Sequence, residues 1–170
     1  KCGHFEDKSV IAAGEMAAKV RAAVDARTDP NFLVIARTDA RSTEGLQAAL
    51  DRAQLYAEAG ADILFVEAVT TREEIAAVAK AFNHPLLINI VLGGKTPAIP
   101  LEELGGMGFS LVLYANTALQ GAVMGMQKAL GALKQDGVLL ESSGLVVGFA
   151  ERQRLVRKTE LEAQGRRFAD

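Results

Sequence analysis

A formal charge of −2 over 170 residues leaves no basic field that would draw in nucleic acid or an anionic membrane. Hydrophobic residues make up 49% of the chain, enough for a real core. No apolar run nears the roughly 20 residues a membrane span needs, and no signal peptide opens the sequence. Cys2 is the sole cysteine, which excludes an intrachain disulfide and reads as a cytoplasmic protein.

Elements alternate along the chain. Helical spacing of apolar residues runs over 11–26, and Asp29-Pro30-Asn31 makes a turn. Residues 32–37 form an apolar run ending in Arg37, as buried parallel strands do. Ser42 or Thr43 is positioned to cap a helix that Gly60 stops. A second strand covers 63–67 and ends in Glu67. Thr70 or Thr71 caps the next helix, which runs to about Phe82 with Glu73 and Glu74 at its positive end. Strands at 86–90 and 111–114 follow, separated by the Gly-Gly-Lys-Thr-Pro loop and a short helix over 100–107. A long helix covers 117–135, 137–149 reads as a loop, and 150–168 as one charged helix.

Four strands each followed by a helix imply an α/β fold with a parallel sheet. A period of about 25–30 residues suits a barrel or a doubly wound sheet. No Gly-x-Gly-x-x-Gly follows any strand, and Gly93-Gly94-Lys95-Thr96 lacks the upstream glycine of a phosphate loop. Arg37, Glu67 and Asn89 each stand at the C-terminal end of an apolar strand, and in a barrel those ends converge on one mouth. Solvation of the departing chain is the competing explanation for any one of them.

Arg37 offers a planar fork suited to a substrate carboxylate, with Asp39 placed to hold it. Glu67 can accept a bond from Arg37 or reach a metal through water, and the Asn89 amide can donate to a carboxylate. Lys95 and Thr96 lie in the loop beyond. At the chain start, Cys2-Gly3-His4 puts a thiol and an imidazole two residues apart. Cationic neighbours lower a thiol pKa and suit it to proton transfer. A metal pair and an inert terminus are the other readings.

Several segments together carry a resemblance. Lys1-Cys2-Gly3-His4, Val-Ile-Ala-Arg-Thr-Asp-Ala over 34–40, Ala-Gly-Ala-Asp-x-x-Phe-x-Glu-Ala over 59–68, and Asn89 with Gly-Gly-Lys-Thr-Pro occur in the order and spacing of one family. The chain resembles the isocitrate lyase/phosphoenolpyruvate mutase superfamily over residues 1–132. Its most similar subgroup is the methylisocitrate lyase-like one, with dimethylmalate lyases and carboxyphosphonoenolpyruvate mutases. The resemblance implies a (β/α)8 TIM barrel with a swapped C-terminal helix, of which residues 1–135 supply strands 5–8 and 136–170 a helical, oligomer-packing extension. The start at Lys1 leads us to expect sequence, or a companion chain, carrying the N-terminal half of the barrel. A homo-oligomer, usually a tetramer, is implied, as is Mg2+ or alternatively Mn2+ as cofactor, with its acidic ligands upstream of Lys1.

The implied activity is carbon–carbon cleavage of a small 2-hydroxy di- or tricarboxylate, methylisocitrate- or alkylmalate-like, into a 2-oxo acid and a carboxylate. A mutase, an oxaloacetate hydrolase or decarboxylase, and a non-catalytic scaffold are the alternatives. By the same resemblance Cys2 is the acid that protonates the product carbanion, Gly3 and His4 bind substrate carboxylate, Arg37 grips the α-carboxylate, Glu67 stands near metal-bound water, and Asn89 binds substrate. One departure stands out: Ile90-Val91-Leu92 follow Asn89 where many lyases of the family carry polar residues, which leaves an alkylated malate as plausible a substrate as methylisocitrate.

Overall fold

A computed structural model describes residues 8–168. The chain divides into two compact units, one reaching Thr117 and the other starting at Ala118.

The first unit is built on four parallel strands in the spatial order β1-β2-β3-β4: Ile35–Thr38, Ile63–Val66, Leu86–Val91 and Phe109–Ala115. Sequential order matters. A doubly wound sheet reverses direction at a switch point, whereas right-handed crossovers repeated in one direction put every helix on the same face. The helices are α1 (Ala13–Ala26), α2 (Arg41–Glu44), α3 (Leu46–Glu58), α4 (Arg72–Ala81) and α5 (Leu101–Met107). Their buried residues, among them Val20, Ala53, Ile75, Val78 and Leu104, form one core with Ala36, Leu64, Leu86, Ile88 and Ile90 of the sheet. Alternate residues point the other way, and on the edge strands they are less covered: Ile35 of β1 is 45% exposed and Leu113 of β4 48%, whereas Ile63 and Phe65 of β2 are buried. Small residues set the spacing. Ala49 and Ala53 of α3 are fully or almost fully buried and let the helix approach the sheet closely.

Local chemistry decides several boundaries. Asp29 Oδ1 accepts from Asn31 N at 2.8 Å, which makes the expected turn. β1 starts at Ile35 rather than 32, because Val34 N donates to the Asp62 carboxylate at 2.7 Å, and Phe32 and Leu33 remain exposed. Ser42 and Thr43 cap nothing: both lie inside α2, and their hydroxyls donate back to the carbonyls of Asp39 and Ala40. Gly45, at φ +94°, separates α2 from α3. Gly60, at φ +98°, turns α3 toward β2, with the Val24 methyls 3.4 Å from where a Cβ would stand. Thr71 is the N-cap of α4, accepting from Glu74 N at 3.2 Å.

The second unit contains most of α6 (Thr117–Asp136), a 3-10 turn at Glu141–Ser143 in the stretch expected as a loop, α7 (Phe149–Leu155) and α8 (Lys158–Arg167). The single helix expected over 150–168 is two. Arg157 adopts a left-handed conformation (φ 53°) between them, although no proline or glycine marks the break. No helix of the described residues is long and apolar enough to cross a membrane.

Candidate active site

Paired residues of a parallel sheet share a face, so the register locates the site. Arg37 pairs with Phe65, Phe65 with Leu87, and Asn89 with Leu113. Asn89 lies two residues beyond Leu87 and Glu67 two beyond Phe65. Arg37 and Asn89 therefore stand on β1 and β3 on the face away from the helices, and Glu67, one residue past the C-terminal end of β2 between them, meets Arg37 there.

Arg37 is the hub. Its Nε donates to Asp39 Oδ2 at 2.7 Å and its Nη2 to Asp39 Oδ1 at 2.9 Å, the two-pronged geometry that fixes a guanidinium plane. Nη1 lies 3.2 Å from Glu67 Oε2. The guanidinium also stacks over the Phe65 ring, 5.1 Å from its centroid. Glu67 is 1% exposed while the Arg37 side chain keeps 38% of its surface open, so a buried carboxylate holds a cation that solutes can reach. The next residue, Ala68, is buried at φ 59°, a costly conformation for a non-glycine residue that redirects the chain directly after Glu67.

Lys8 was not anticipated from the sequence. Its Nζ donates to Asp39 Oδ1 at 3.0 Å with only 6% of the side chain exposed. It stands outside any helical or strand periodicity, so no sequence signal marked it. Burial raises the Asp39 carboxyl pKa, but hydrogen bonds and charge from Arg37 and Lys8 outweigh it and hold the group below the usual carboxylate range. Lys8, Arg37, Asp39, Arg52 and Tyr56 help line a cleft of about 480 Å³. Arg52 is fixed there by Glu44 and by the Ile11 carbonyl.

Asn89 stands one strand beyond Glu67. Its Oδ1 and the Thr96 hydroxyl are buried without a hydrogen-bond partner among the described residues. Buried polar groups are almost always satisfied, so these two have bonding capacity for a ligand. Lys95, beside Thr96, is exposed. Cys2, Gly3 and His4 lie outside the described residues.

The family model described as phosphoenolpyruvate phosphomutase matches residues 2–134. The chain belongs to the phosphoenolpyruvate mutase/isocitrate lyase superfamily. Among relatives of the chain, 2-methylisocitrate lyase of Salmonella typhimurium is 44% identical over 137 residues, 81% of this chain and 46% of that protein. The 2,3-dimethylmalate lyase of Eubacterium barkeri is 37% identical over 151 residues, 89% of this chain and 52% of that protein. A crystal structure of 2,3-dimethylmalate lyase, itself described as a member of the superfamily, superposes with a TM-score of 0.83 at 33% identity, covering 97% of this chain and 56% of that one. The chain spans about half the length of the curated relatives it matches.

The described residues do not by themselves fit the Mg2+ that the superfamily resemblance implies. No group of three His, Cys, Asp or Glu side chains among them could hold a metal ion. The two carboxylates of the cluster, Asp39 and Glu67, already face cations.

Proposed function

We propose that this chain supplies half of the active site of a carbon–carbon lyase that splits a small 2-hydroxy di- or tricarboxylate into a 2-oxo acid and a second carboxylate. The observation that carries the reading is the Arg37 guanidinium, braced by Asp39 and Glu67 on the open face of the sheet, with the Asn89 amide one strand away. Kinship to named 2-methylisocitrate and 2,3-dimethylmalate lyases supports it.

In the cleavage, the 2-hydroxyl gives up its proton, C2 becomes a carbonyl carbon, and the C2–C3 bond breaks. The electron pair passes to C3, where the adjacent carboxylate delocalises it as an aci-carboxylate, and a proton returned to C3 completes the balance. Arg37 binds the C1 carboxylate and offsets the charge growing on the neighbouring oxygen. Such stabilisation needs a donor that does not reorganise, which is what two anionic braces provide. Glu67 and Asp39 act through Arg37, as positioning residues. Asn89 donates from Nδ2 to a substrate carboxylate oxygen. Cys2 is the proton donor to C3, with Gly3 and His4 binding carboxylate beside it. Any Mg2+ or Mn2+ required is held by residues beyond those described.

The same reading makes the four βα units the second half of an eight-stranded barrel, in a tetramer that exchanges its last helix. The half-open inner face of the sheet supports closure by further strands. Exposed apolar residues of the second unit, such as Leu130 at 64% and Phe149 at 61%, support assembly.

The test is product analysis of the complete protein with Mg2+ and a panel of 2-hydroxy acids, oxaloacetate and phosphonopyruvate. Release of a 2-oxo acid from a 2-hydroxy acid is the expected result. Turnover of phosphonopyruvate or oxaloacetate instead makes the enzyme a mutase or hydrolase. Replacing Cys2 by Ser tests the acid separately: turnover should drop by about 10²–10⁴-fold, the worth of positioned acid–base catalysis, with the fold intact.

A further inference from the structure

Arg37 faces two carboxylates. Asp39 accepts from its Nε and Nη2 at 2.7 and 2.9 Å, and Glu67 Oε2 lies 3.2 Å from Nη1. A guanidinium so placed is held firmly, but two anions beside it oppose the approach of a third, such as a substrate carboxylate. Lys8 alters that balance. Its Nζ donates to Asp39 Oδ1 at 3.0 Å, the same oxygen that Arg37 Nη2 bonds. Both Asp39 oxygens already accept from Arg37, so the ammonium is not needed to satisfy the carboxylate. Burying a lysine head group costs free energy, and this one is buried behind a side chain that solutes reach. Side-chain exposure rises from 6% for Lys8 to 22% for Asp39 and 38% for Arg37.

Covered to this degree, the Lys8 ammonium acts on a bound acid through Asp39 and through its field. That field is weakly screened, because salt and water shield a buried charge far less than an exposed one. Resting on the reading above of Arg37 as the carboxylate grip of a lyase, we propose that Lys8 is a positioning residue for substrate capture. By sharing Asp39, it lets that carboxylate hold the guanidinium plane without cancelling the positive charge that Arg37 presents to an anionic acid. The competing role is mechanical, with Lys8 merely fastening the stretch ahead of α1. That stretch already has a second fastening, since Arg52 Nη1 donates to the Ile11 carbonyl at 2.8 Å.

Calorimetry on the complete protein with Mg2+ tests this, with two unreactive probes: succinate, a dianion, and its monoanionic amide succinamate. Lys8→Met should weaken succinate binding at least about tenfold, and succinamate binding about half as much on a logarithmic scale, because the lost attraction scales with the charge of the probe. Lys8→Arg returns the cation and should recover most of the loss. In cleavage kinetics, Lys8→Met should raise KM more than it lowers kcat, since the attraction acts on bound substrate and transition state alike. If no 2-hydroxy acid is cleaved but the affinities behave in this way, the lyase reading fails and the role of Lys8 stands. A purely mechanical role predicts a lower thermal midpoint with succinate affinity within about twofold of the unsubstituted protein, and that result overturns the proposal. So do equal losses for the two probes, binding of neither probe by the unsubstituted protein, or no recovery in a Lys8→Arg protein whose thermal midpoint is unchanged.

Discussion

Arg37 shows how a single side chain organises this site. It is flanked by anions on two sides and an aromatic face on a third, and its position is set by a strand whose next residue, Thr38, is buried. Asp39 depends on it in turn. Because the folded-state pKa of Asp39 is depressed, its contribution to stability is fully present above the unfolded carboxylate value of about 3.9 and is lost as pH falls through the lower folded value. Unfolding by urea at about pH 5 and at about pH 3 should therefore show a loss of stability on acidification that shrinks in Asp39→Asn. An undiminished slope in the variant would assign it to other carboxylates. The Arg37–Asp39 bridge was legible in the sequence, since an i,i+2 pair at a strand end shares one face. The Lys8 contact was not, because its partner is 31 residues away and nothing in the periodicity links them.

Among the elements, all four strands were legible because each is a short apolar run bounded by turn chemistry. Their edges shifted wherever a side chain competed for a backbone group, as Asp62 does at Val34 and as Ser42 and Thr43 do in α2. The break between α7 and α8 left no mark in composition, since a left-handed arginine carries no residue-type signal. The start of α4 shows the opposite case. Thr71 caps the helix, Glu74 accepts from Thr70 N at 2.7 Å, and Arg41 of α2 grips Glu74 through Nε and Nη2. Thr71→Ala should lower stability by about 1 kcal/mol in chemical denaturation, the usual cost of losing a Thr cap. A change indistinguishable from zero would mean that Glu74 and Arg41 hold the helix start without Thr71.

For the whole molecule, sequential strand order with helices on one face leaves two sheet edges and an incompletely covered inner face, an arrangement that a soluble fold closes or covers. The parallel sheet followed from the alternation of elements, while closure into a barrel belongs to the proposed reading, since the described residues hold four strands. In the complete protein, hydrogen exchange at the outer edges of β1 and β4 should be as slow as in β2 and β3. Fast exchange at those edges would contradict a closed barrel. The claim that the Arg37 cluster performs carbon–carbon cleavage is tested most directly by replacing the fork while keeping the charge. In the complete protein supplied with Mg2+, release of 2-oxo acid from the preferred 2-hydroxy acid should fall at least about 100-fold in kcat/KM for Arg37→Lys, with both KM and kcat affected, because a lysine cannot make the two-pronged contact. Release within a few-fold of the unsubstituted enzyme would contradict the account.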